Sequence, residues 1–140
     1  MSEPKIQFHS ECDFNLTKPS LREDWLSELA EKEGKKIEAV NYIFCDDEYL
    51  HKVNVEFLNH DNYTDIITFD YGIGAELVSD IFVSVERVQD NAKEYRVAFE
   101  DELDRVLAHG ILHLCGYKDK TPADEALMRE KENYYLSLRP

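Results

Sequence analysis

At 140 residues, with 43% hydrophobic and 33% charged side chains, the chain carries enough apolar surface for one core and is expected to form a single domain over residues 1–140. Its formal net charge of −14 excludes nucleic-acid binding by bulk electrostatics, because phosphate neutralisation needs local Lys and Arg. The scattered Cys12, Cys45 and Cys115 exclude a disulfide framework and a four-cysteine zinc site, and no stretch approaches the ~20 apolar residues of a membrane span. With no charged-then-apolar opening segment, cytoplasmic residence with reduced thiols is the expectation.

Residues 5–9 alternate and read as a first strand. After Pro19, Ser20 and Glu23 form a capping box that opens a helix through Trp25, Leu26 and Leu29 and stops at Gly34. Residues 37–45 are β-rich. Asp46 or Asp47 then caps a helix whose Leu50, Val53 and Phe57 share one face, and residues 59–64 make a polar loop. Residues 66–69 and 77–85 are apolar enough for central strands, joined through Tyr71-Gly72-Ile73-Gly74, whose glycines suit a hairpin. The chain is helical from Val85 through Tyr95 and again from Phe99 through a histidine-bearing segment. Pro122 opens a last helix to about residue 138. The order β-α-β-α-β-β-α-α-α predicts an α+β domain with about five helices packed on a four-stranded sheet.

The chemistry concentrates in His109-Gly110-Ile111-Leu112-His113-Leu114-Cys115-Gly116-Tyr117-Lys118-Asp119. Positions i and i+4 stack on one helix face, so both imidazoles can reach a single ion at about 2.0 Å. Gly116 stands where a helix commonly ends in the left-handed conformation, and the following turn brings Asp119 toward the same point. Two imidazoles, a third donor and an open fourth position describe a one-ion zinc site suited to hydrolysis. Leu103, Val106, Leu107, Ile111 and Leu114 form an apolar stripe that puts the histidines at the edge of a core. Cys115, about 200° round the helix from His113, reads as a packed thiol. Glu100-Asp101-Glu102 reads as a solvated first turn, with one member a candidate partner for a ligand histidine.

His109-Gly110-x-Leu112-His113-Leu114-x-Gly116-Tyr117 resembles the signature of the YbeY family, bacterial endoribonucleases that act as ribosomal RNA maturation factors and carry a zinc held by three histidines. Thr64-Asp65-Ile66-Ile67-Thr68-Phe69 resembles the family's Thr-Asp-Val-Leu-Ser-Phe segment, and Ser79-Asp80-Ile81-Phe82-Val83-Ser84 its Gly-Asp-Ile strand. The resemblance implies a mixed sheet, a metal site on a late helix, and single-strand-specific RNA cleavage in maturation of the small-subunit ribosomal RNA 3′ end and in ribosome quality control. It implies Zn2+ on His109, His113 and Asp119, with Thr64 and Asp65 as cleft candidates, and it places the loop of His60 near that cleft. Two positions depart from the pattern. Asp119 stands where the family has its third histidine, and Leu58 aligns with an arginine associated with catalysis, which leucine cannot replace as a phosphate clamp.

The implied substrate is a ribosomal RNA precursor, and the acidity also suits docking of a monomer to a basic partner such as a small-subunit ribosomal protein. Arg22, Lys35, Lys36, Lys93, Arg96, Lys118 and Lys120 are the cations that could gather beside a cleft. The alternatives are a noncatalytic ribosome assembly factor with a structural zinc, or a metalloprotease-like hydrolase. The protease motif H-E-x-x-H would need a glutamate where this chain has Gly110.

Overall fold

Alternation along two strands decides how the sheet is covered. In β4 (Glu76–Ser84), Leu77, Ile81 and Val83 are buried toward one face while Phe82 points to the other. β2 (Lys36–Cys45) sends Ile37, Val40, Tyr42 and Phe44 into the same large core. In the computed structural model, which describes residues 5–60 and 63–140, the sheet order is β1-β2-β4-β3, with β1 (Ile6–Ser10) and β3 (Ile66–Asp70) at its edges. β1, β2 and β4 run parallel and β3 antiparallel to β4, so the sheet is mixed, as expected.

The large core packs against α1 (Pro19–Lys32), α3 (Val85–Tyr95), α4 (Phe99–Leu114) and α5 (Pro122–Leu136). α2 (Asp47–Leu58) covers the opposite face with Leu50 and Val53 on Cys45 and Ile67. Among the described residues the fold is therefore α+β with four strands and five helices. Among the described residues no helix is long and apolar enough to cross a membrane. The three cysteines are free, and burial pushes the thiols of Cys45 and Cys115 up to about 12 and about 11.

Two local expectations need correction. Ser20 does not cap α1: Lys18 takes the cap position with φ 49° and Pro19 opens the helix, its fixed φ already suited to the first turn. Glu23 instead accepts from the Ile6 amide at 3.2 Å, tying α1 to β1. Of the two cap candidates for α2, Asp46 takes the role, accepting from the Tyr49 amide at 2.8 Å, while Asp47 pairs with Arg87 at 2.6 Å. Phe57 is 64% exposed, because the last turn of α2 presents it edge-on to Phe69 and leaves it outside the buried face. Within the loop 59–64, Asp61 and Asn62 lie outside the described residues.

Candidate active site

α4 is held by its apolar side, and that fixes where its histidines stand. Leu103, Leu107, Ile111 and Leu112 are fully buried, each contributing roughly 1.5–3 kcal/mol of transfer free energy. The buried Tyr42 hydroxyl donates to the Leu107 carbonyl at 2.6 Å and pins the helix to β2. At Gly110 a Cβ would lie 3.1 Å from Ile81 Cδ1 and 3.2 Å from Ile66 Cδ1, so the helix approaches the β3–β4 pair closely there. That leaves no room for the glutamate of a metalloprotease motif.

The turn after α4 closes as the glycine foretells. Gly116 has φ 108°, the Gly116 amide donates to the His113 carbonyl at 3.0 Å, and the Tyr117 amide donates to Leu112 at 3.1 Å. Tyr117 then donates its hydroxyl to Glu33 at 2.6 Å. Tyr135 donates to the other oxygen of Glu33, and Lys131 lies 3.6 Å away. Burial opposes the charge on Glu33, but these donors together hold its carboxyl below the ordinary value. Clamped in this way, the turn delivers Asp119 Oδ2 to 3.4 Å from His109 Nε2.

The other face of the His109 ring meets α5. Glu132, nearly fully buried, places Oε2 2.8 Å from His109 Nδ1, and its Oε1 accepts from Arg105 at 2.9 Å. Burial alone would lower the His109 pKa, yet the Glu132 hydrogen bond and the charges of Glu132, Asp119 and Asp65 raise it above the ordinary value. Burial likewise opposes the charge of Glu132, but His109 and Arg105 hold its carboxyl low. Asp65, just before β3, is raised by burial, as is Glu102, two turns before His109 on the same face of α4.

These groups open on a cleft of about 760 Å³ between α4, α5, β3 and the end of α2. Thr64, Asp65, His109, His113 and Asp119 all line it, as do Leu58 and His60. His113 and Asp119 are exposed. Among the described residues no three His, Cys, Asp or Glu side chains stand in metal-holding geometry. His109 and Asp119 are brought together, while His113 lines the same cleft without completing a cluster. The donor set of two imidazoles and a carboxylate, with one imidazole oriented from behind by a buried carboxylate, suits a borderline cation such as zinc.

The supporting residues differ from those expected. The partner of His109 is Glu132, not a member of the acidic first turn: Glu100 pairs with Arg22, and Asp101 with Arg139. None of the seven cations singled out above lines the cleft; Arg105 and Arg129 do. Glu102 and Arg105 precede His109 by seven and four residues, a helical period that could have marked them. Nothing local marks Glu132 or Arg129.

A family model described as Endoribonuclease YbeY matches residues 7–138. The Endoribonuclease YbeY of Flavobacterium johnsoniae is 59% identical over 133 residues, covering 95% of this chain and 96% of that relative. This chain belongs to the YbeY family. The Endoribonuclease YbeY of Christiangramia forsetii is 50% identical over 138 residues, covering 99% and 96% of the two chains. A solution structure of a Thermotoga maritima protein matches the fold with a TM-score of 0.62 at 29% identity, over 94% of this chain and 87% of that one.

Proposed function

We propose that this chain is a zinc-dependent, single-strand-specific endoribonuclease of ribosomal RNA maturation, with His109, His113 and Asp119 holding one ion. Membership of an endoribonuclease family makes it a hydrolase of RNA phosphodiester bonds. The observation that carries the metal reading is the His109 ring held between Glu132 at Nδ1 and Asp119 at Nε2, beside His113 and at the wall of an open cleft. A bound zinc would supply Lewis acidity toward a phosphoryl oxygen.

The chain's own groups then have distinct tasks. Glu132 Oε2 is placed to accept a hydrogen bond from Nδ1–H of a neutral His109, the tautomer that presents the Nε2 lone pair to the cleft. Asp65, whose carboxyl is raised by burial, is the candidate to take a proton from the attacking hydroxyl, whether of water or the RNA 2′-oxygen. Thr64 keeps the loop before β3 in place, its hydroxyl 3.5 Å from the Ile66 carbonyl. The openness of the cleft favours an enzyme over an assembly factor with a closed structural zinc, and the crowding at Gly110 disfavours a protease. The finer reading is a cytoplasmic monomer that trims the small-subunit ribosomal RNA 3′ end and serves ribosome quality control, brought to its precursor by a small-subunit ribosomal protein.

The test is cleavage of single-stranded and structured ribosomal RNA fragments by wild type and His113→Ala prepared identically, with zinc measured by elemental analysis. Wild type should carry one zinc and cut the single strand, and the variant should lose both. Equal cleavage by the two preparations, or none by the zinc-loaded wild type, defeats the proposal.

A further inference from the structure

A substrate phosphate must enter a cleft whose walls are acidic: Asp65, Glu102, Asp119, Glu125 and Glu132 all line it, on a chain of net charge −14. Among the described residues that line it, the guanidinium groups are those of Arg105 and Arg129. Arg105 is committed. Its Nη1 donates to Glu132 at 2.9 Å, its Nη2 donates to Asn133 at 2.8 Å, and its side chain is 21% exposed. Arg129 is not: its side chain is 56% exposed, and its contact with Glu132 Oε1 is 3.8 Å, beyond hydrogen-bonding range.

We infer that Arg129 is the phosphate-binding residue of this cleft, its guanidinium fork receiving a non-bridging oxygen of the RNA backbone beside His109. The position follows from one shared carboxylate: Glu132 faces Arg129 with Oε1 and His109 Nδ1 with Oε2. At 3.8 Å, with its own side chain 56% exposed, Arg129 makes no hydrogen bond to the buried Glu132, so it can turn from Glu132 to phosphate while Arg105 keeps Glu132 in place. A planar fork with several N–H donors matches phosphate geometry, which a lysine ammonium does only as a point charge. The inference rests on the nuclease reading and deepens it by naming the group that holds the substrate.

The test has two arms. Zinc-loaded wild type, Arg129→Gln and Arg129→Lys are compared for kcat/KM on a labelled single-stranded RNA, with zinc content measured on each. Binding of the same RNA to His113→Ala, with and without Arg129→Gln, is then measured over a salt series. Arg129→Gln should lower kcat/KM about tenfold to a hundredfold at unchanged zinc content, with Arg129→Lys between. It should also reduce the slope of log affinity against log salt by about 0.7, the share of one phosphate contact in a single strand. A salt slope that Arg129→Gln leaves unchanged overturns the inference, as does loss of zinc in that variant, which would make Arg129 a support for Glu132. Should wild type fail to cleave, the nuclease reading falls, and the binding arm still decides whether Arg129 holds phosphate.

Discussion

The buried carboxylate of Glu132 on α5 stands 2.8 Å from Nδ1 of His109 on α4, joining two helices at the wall of the cleft. A ligand imidazole whose second nitrogen is held in this way is fixed in both tautomer and orientation. Glu132→Gln keeps the shape but removes the charge. It should weaken zinc binding by about tenfold to a hundredfold, read by titration against a competing chelator. Affinity equal to wild type would mean that Glu132 does not orient a zinc ligand.

Glu33 gathers Tyr117, Tyr135 and Lys131 on one carboxylate that is largely buried, so it clamps the turn carrying Asp119. Glu33→Ala leaves two hydroxyls without their acceptor and should cost about 1–3 kcal/mol in urea denaturation at neutral pH. The carboxyl titrates below its ordinary 4.5 in the folded protein, so its contribution is present above that value and is lost as pH falls through the lowered one. Wild type should therefore lose more stability than Glu33→Gln over that acid range. Parallel pH curves for the two proteins would remove Glu33 from this role.

Gly110 lets α4 sit close to the sheet, and the nearest atoms are the side-chain ends of Ile81 and Ile66. Gly110→Leu would force a branched side chain into this contact and should destabilise by about 1–3 kcal/mol. Gly110→Ala adds one methyl that the isoleucine ends can yield to, and the better helix propensity of alanine, worth about 1 kcal/mol, offsets the crowding. The alanine variant should melt within a few degrees of wild type and the leucine variant well below it. Equal melting of the leucine variant and wild type would show that the contact is loose.

What the sequence determined by itself was local. β-rich composition and an apolar run marked β2 and β4 as strands, a period of 3.6 set α4 with Leu103, Leu107 and Ile111 inward, and Gly116 announced the turn, because each signal depends on a few neighbouring residues. The histidine spacing and the turn pointed to a site at Asp119 for the same reason. The capping of α1 departs from the Ser20–Glu23 box because Pro19 opens the helix and Glu23 is tied to Ile6, a contact only the neighbouring strand provides. Tertiary structure alone decided the rest. Glu132 meets His109 across 23 residues of chain, and Glu33 meets Tyr117 across 84, distances over which no periodicity carries information. The order β1-β2-β4-β3 brings Asp65 beside α4, and the packing of α5 leaves Arg129 exposed while tying down Arg105. Which charged groups are satisfied and which are free depends on what is buried against them, and burial is a property of the assembled fold.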